Sequence, residues 1–218
     1  MVKGRRLARG LALSAVALLA FGKIAESIRE QDRMAALDRR IPELLHAWVT
    51  PGGTKVFRAV SAAGSPPTLA IIGLAVAVAL FVARDRVLAL CWVAALVGAG
   101  LLDWLLKLLF HRTRPETAWA FLYGHSWSFP SGHVMGSVAT YGVLAYLAVR
   151  RVRAPLPRVL IITGAAVLIV AIGLSRLYLG VHYFSDVAGG LAAGIVWLAA
   201  CITAIEEVRR RRDAWGRP

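Results

Sequence analysis

Acidic residues are scarce in this chain: 12 Asp and Glu stand against 26 Lys and Arg, for a net charge of +14. A soluble protein this basic suggests nucleic-acid binding. Here, however, the basic residues sit in short segments between apolar runs, and no long stretch interleaves aromatics with arginines. That distribution argues against a nucleic-acid partner and follows the positive-inside rule of membrane proteins. Cysteine is nearly absent too. Cys91 and Cys201 lack metal-ligand spacing, lie away from the polar motifs, and read as small buried apolar residues near the cytoplasmic side, where a disulfide is not expected. No Asp, Glu or His cluster has the spacing of a metal site, so neither metal nor cofactor is expected. No internal repeat or low-complexity segment is present.

What the chain has in abundance is apolar sequence. Hydrophobic residues make up 58% of it and the mean hydropathy is +0.64, whereas a soluble domain is about 45–50% apolar. A bilayer core takes about 20 apolar residues in a helix. Six runs approach that length: roughly 7–23, 67–84, 87–109, 133–150, 157–175 and 184–204. The first follows Lys3, Arg5, Arg6 and Arg9 like a signal peptide, but Phe21-Gly22-Lys23 offers no small-x-small cleavage site, so a retained helix is expected. Between the first two runs, 24–66 mixes charges with Leu37, Ile41, Leu44, Leu45 and Trp48, the pattern of amphipathic helices lying on a membrane surface. The expectation is a single all-α domain over 1–218, with six transmembrane helices and amphipathic interfacial helices between the first two.

Loop charge sets the orientation. With both termini in the cytoplasm, the inside segments hold the four N-terminal cations, Arg84, Arg86, Arg150, Arg151, Arg153, Arg158, Arg209–Arg212 and Arg217. The segment 24–66 then faces the extracytoplasmic side. Lys107 follows Arg86 by about 31 Å of helix at 1.5 Å per residue, so it emerges at the opposite face. His133 opens the next run from that face, Arg176 closes the one after, and His182 and Asp186 open the last. Three polar patches thus converge at one membrane depth.

Each patch alone has an ordinary reading. Lys107 reads as a snorkelling lysine, Arg114 as a solvated loop residue, Pro130-Ser131-Gly132-His133 as a helix cap, and His182 with Asp186 as a structural pair on one helix face. Together they supply three cations, a small-residue helix N-terminus suited to anions, two histidines and one carboxylate, which is the equipment for holding and transferring a phosphate. Other polar residues are less telling. Asp103 lies one turn before Lys107 and reads as its structural partner. His111 and Arg112 read equally as headgroup-steering or exposed residues. His125, Trp127 and Tyr183 suit the mouth of a site, and His46 reads as a surface residue.

Lys107-x6-Arg114-Pro115, Pro130-Ser131-Gly132-His133 and Ser175-Arg176-x5-His182-x3-Asp186 together resemble the three signatures of the type 2 phosphatidic acid phosphatase superfamily, which includes lipid phosphatases and haloperoxidases. The resemblance spans 107–186 and matches every signature position. It implies that His182 is a nucleophile forming a phosphohistidine. It makes Asp186 the residue that orients His182, and His133 the acid and then base at the leaving and entering oxygens. Lys107, Arg114, Ser131, Gly132 and Arg176 would bind the phosphate, without metal. The Ala- and Arg-rich composition and compact length suggest a bacterial protein, and the loop-charge orientation places the site on the outer side of its plasma or inner membrane. The implied substrates are undecaprenyl pyrophosphate, phosphatidylglycerophosphate or phosphatidic acid. A lipid phosphotransferase with the same site, or a non-catalytic lipid-binding or transport protein, is the alternative.

Overall fold

The computed structural model describes residues 2–30, 33–115 and 126–215. The described elements are helices: α1 (Val2–Glu30), α2 (Arg33–His46), α3 (Pro51–Ala63), α4 (Pro66–Val82), α5 (Arg86–Phe110), α6 (Gly132–Arg151), α7 (Pro155–Tyr178) and α8 (Phe184–Trp215). Helix is the form an apolar chain takes in hydrocarbon, because each backbone donor then finds its acceptor within the segment. Punctuation comes from local chemistry. Thr50 and Ser65 cap α3 and α4, each followed by a proline at the first helical position. Asp85 accepts from the Leu88 amide at the start of α5. At its end, His111 adopts a left-handed conformation (φ 45°) and its amide closes onto the Lys107 carbonyl.

α6 is the central helix, packed against α4, α5, α7 and α8, while α1 runs along α8. Leu88, Trp92, Ala95, Val143 and Ile205 form a buried cluster where α5, α6 and α8 meet. Two tryptophans stitch the helices together: Trp92 donates to the Gly73 carbonyl of α4, and Trp197 to the Ala95 carbonyl of α5, each at 2.8 Å. Much of the remaining apolar surface faces outward, including Ile71, Leu74, Phe81, Leu90, Leu109, Leu160 and Val167. In water such a surface would be costly; against lipid tails it is not.

Four of the described helices, α5 to α8, are long and apolar enough to cross a membrane, and α3 with α4 makes a fifth span if that pair, bent by 40°, is taken as one. The six spans expected from sequence therefore meet four or five here. α1 stands outside the group: its apolar core from Leu11 to Gly22 is short for a bilayer, with charged turns on both sides. The segment 24–66 also differs in extent from the sequence reading. Residues 24–30 continue α1, and α3 leads directly into α4. Nor does this segment lie apart from the bundle. Tyr178, at the end of α7, accepts from the Thr50 amide at 3.0 Å and donates to the Trp48 carbonyl at 3.1 Å, while its ring stacks on Phe57.

Candidate active site

The C-terminal ends of α5 and α7 and the N-terminal ends of α6 and α8 meet at one end of the bundle. Their junction is fastened by backbone: the Ser131 amide, just before α6, donates to the Asp186 carbonyl of α8 at 3.0 Å. At Gly190 the approach to backbone is close enough to require glycine. A Cβ at Gly190 would stand 2.7 Å from the Ser131 carbonyl oxygen, and one at Gly132 would stand 2.8 Å from Asp103 Oδ2.

His182 is buried in the turn between α7 and α8. Its Nδ1 lies 3.3 Å from Asp186 Oδ2 and 3.5 Å from Ser128 Oγ. Its Nε2 lies 3.3 Å from Nη1 of Arg114. With an acceptor on one side and a cation on the other, the proton belongs on Nδ1, and the Nε2 lone pair faces the guanidinium. Burial pushes the imidazole down to about 4; Asp186 pulls the other way, and Arg114 and Arg176 add to the lowering. His182 is therefore neutral near pH 7, with Nε2 unprotonated.

Asp186 is fully buried and fully engaged. It is the third residue of α8 and reaches back to the Tyr183 amide with Oδ2 at 2.9 Å, as the acidic member of a capping box does. The same oxygen accepts from the Ser128 hydroxyl, and Oδ1 accepts from Arg112 Nη1 at 2.7 Å.

The remaining predicted residues surround this pair. Arg114 is clamped by three carbonyls and a hydroxyl: Nε donates to the Ser126 carbonyl (3.0 Å), Nη1 to that of Val181 (2.9 Å), and Nη2 to that of Trp127 (3.5 Å) and to Ser126 Oγ (3.0 Å). Arg176 is wholly buried at the end of α7, with Nη1 donating to Ser61 of α3 at 2.5 Å. Lys107 pairs with Asp103 at 2.5 Å, the partner its spacing suggested. His133, in the first turn of α6, lies within electrostatic range of Arg176, His182, Arg114 and Lys107. Ser131 takes the N-cap position of α6 without capping it. Its Oγ is buried and has no hydrogen-bond partner among the described residues. A helix N-terminus, an idle buried hydroxyl and three cations at one place are the features of an anion site.

Several contributors were not singled out in the sequence. Ser128 and Ser185 join the Asp186 network, Ser61 holds Arg176, and Asp38 of α2 reaches Arg112 and Ser185. Arg112, which the sequence leaves between steering and exposure, is instead mostly buried, bridging two carboxylates and lying over the Tyr183 ring at 4.2 Å. Trp127 packs edge-on against His111. His125 and the His46 side chain lie outside the described residues. Among the described residues no three His, Cys, Asp or Glu side chains gather as a metal site would need.

Residues 86–210 match the family model described as PAP2 superfamily. Phosphatidylglycerophosphatase B of Bacillus subtilis (strain 168) is 36% identical over 118 residues, which is 52% of this chain and 56% of that protein, so the match spans little more than half of the relative. The chain is also similar to the crystal structure of a transmembrane PAP2 type phosphatidylglycerolphosphate phosphatase from Bacillus subtilis. That similarity has a TM-score of 0.81 at 26% identity, covering 89% of this chain and 96% of the other. With the family model matching over half of its length and the signature side chains gathered at one end of a helical bundle, this chain belongs to the PAP2 superfamily.

Proposed function

We propose that the chain is a membrane lipid phosphatase that hydrolyses a phosphomonoester or pyrophosphate through a phosphohistidine. The observation that carries this reading is the arrangement of His182, whose Nδ1 is turned to Asp186 and whose Nε2 is turned to Arg114. A phosphate gripped by Arg114 would present its phosphorus to Nε2, the unprotonated ring nitrogen.

The reaction runs in two displacements. In the first, Nε2 of His182 attacks phosphorus while the bond to the lipid oxygen breaks. His133 gives that oxygen its proton, and the lipid alcohol, or lipid monophosphate from a pyrophosphate, departs. Asp186 holds the Nδ1 proton and balances the positive charge on the imidazole. In the second, water attacks the phosphohistidine, returns a proton to His133, and frees inorganic phosphate. Lys107, Arg114 and Arg176, with the Ser131 hydroxyl and the Gly132 amide, hold the equatorial oxygens where charge builds up.

The whole chain works as one domain in this reading, with α1 as a sixth span alongside α8 and the site on the extracytoplasmic face of the cell membrane. Both Bacillus subtilis relatives are named for phosphatidylglycerophosphate, which makes that lipid the first substrate to test. The test is phosphate release by the purified protein across phosphatidylglycerophosphate, phosphatidic acid and undecaprenyl pyrophosphate. Release from at least one is expected. Release from none, or transfer of the label to an acceptor lipid in place of water, contradicts a hydrolase.

A further inference from the structure

Asp38 is the one acidic side chain of α2 that is buried, 4% exposed, and it lies 148 residues from Asp186 in sequence. Its Oδ1 accepts from the Ser185 amide at 2.8 Å, and its Oδ2 from the Ser185 hydroxyl at 2.6 Å and from Arg112 Nη2 at 2.7 Å. The other arm of the same guanidinium, Nη1, meets Asp186 Oδ1 at 2.7 Å and Ser185 Oγ at 2.6 Å. Arg112 is thus a fork with one tine on each carboxylate.

We propose that Asp38 is a positioning residue for the His182–Asp186 pair, acting through Arg112; the inference rests on the phosphatase reading above. Asp186 has two oxygens with different duties. Oδ1 meets Arg112, while Oδ2 meets His182, Ser128 and the Tyr183 amide. A guanidinium left to itself prefers to bind a carboxylate with both tines. By holding Nη2, Asp38 confines Arg112 to a single contact with Asp186 and keeps Oδ2 for the imidazole. Its charge also offsets that of Arg112, which would otherwise draw Asp186's negative charge away from His182. The other charged or titratable groups around the pair are Arg114, Arg176, His133 and, further out, Lys107. These are cations or a histidine, and the further acid among them, Asp103, is taken by Lys107, so Asp38 is the second negative charge that the Arg112 fork meets. It arrives on α2, which makes an amphipathic helix outside the signature segment part of the catalytic arrangement.

The test compares Asp38→Asn, Asp38→Glu and, as a control, Glu43→Gln, an exposed acid on the same helix. For Asp38→Asn, kcat is expected to fall about tenfold to a hundredfold with KM changed by less than about threefold, the range of coupling within one polar network. Asp38→Glu recovers part of the rate, and Glu43→Gln behaves as wild type. In an Arg112→Met background Asp38→Asn has little further effect, since the residue acts through the guanidinium. A second readout is independent of turnover. The Nδ1 proton of His182, assigned by its loss in His182→Gln, is read by proton NMR of the full chain in detergent. Its resonance moves upfield in Asp38→Asn as its hydrogen bond to Asp186 weakens. An unmoved resonance overturns the positioning role whether or not any lipid is hydrolysed. A wild-type protein that releases no phosphate contradicts the phosphatase reading and leaves the NMR test to decide this one. A kcat loss that persists undiminished in the Arg112→Met background assigns Asp38 a folding role and also overturns the proposal.

Discussion

Nη1 of Arg114 stands 3.3 Å from Nε2 of His182, while the same nitrogen is tied to the Val181 carbonyl at 2.9 Å. The cation that would grip the phosphate therefore sits against the nitrogen that would attack it, held by three backbone carbonyls and the Ser126 hydroxyl. Rigid placement of charge where it develops in the reaction is generally the largest contribution to catalysis.

Arg114→Lys tests that placement. Lysine keeps the charge but loses the fork that reaches three carbonyls at once. The kcat/KM for phosphate release is expected to drop by about a hundredfold to a thousandfold, the usual cost of one misplaced oxyanion donor. A lysine variant within about threefold of wild type contradicts the role given to this guanidinium.

The pH profile tests the state of His182. The group must be neutral to attack, and burial lowers its pKa to about 4. Activity is therefore present above that value and lost as pH falls through it, because the protonated ring has no lone pair at Nε2. With the ionisation of the substrate phosphate divided out, the acid limb of kcat/KM should lie well below the ordinary imidazole value of about 6.5. An acid limb at or above that value contradicts a buried, desolvated nucleophile.

Gly190→Ala tests the junction between α6 and α8. The added methyl would stand 2.7 Å from the Ser131 carbonyl, which is backbone and does not swing aside. Overpacking of this kind costs about 1–3 kcal/mol, but the displaced element carries Ser131, Gly132 and His133. Activity should fall by more than tenfold while the protein remains folded in detergent, read by phosphate release beside thermal unfolding. Unchanged activity indicates that the first turn of α6 does not hold the phosphate.

The signature residues were legible in the sequence because their chemistry is unusual at helix ends: charges and histidines bounding apolar runs need a reason. Helix rise brings Lys107, His133, Arg176 and His182 to one end of the bundle, where the other three lie within electrostatic range of His133. What stayed hidden is what supports them from elsewhere in the chain. Asp38 sits in a charge-rich amphipathic stretch, where an acid facing solvent and an acid facing the bundle look alike. Ser61 is one small polar residue on a helix that sequence assigned to the membrane surface, yet it meets Arg176 in the interior. Arg112 lacked a visible partner because both carboxylates lie 74 residues away, one in each direction. A bend at Gly64-Ser65 divides one hydrophobic passage between α3 and α4, and the apolar core of α1 is too short to mark a span by length and composition alone.

The covalent step can be observed directly. Lipid carrying a radioactive phosphate is mixed with the protein, quenched within one turnover, and the label on the polypeptide is characterised. The account predicts a label that survives alkali, is lost in mild acid as a phosphoramidate is, and maps to the peptide containing His182, with none on His182→Ala. An unlabelled protein during steady phosphate release, or a label on any other residue, contradicts it.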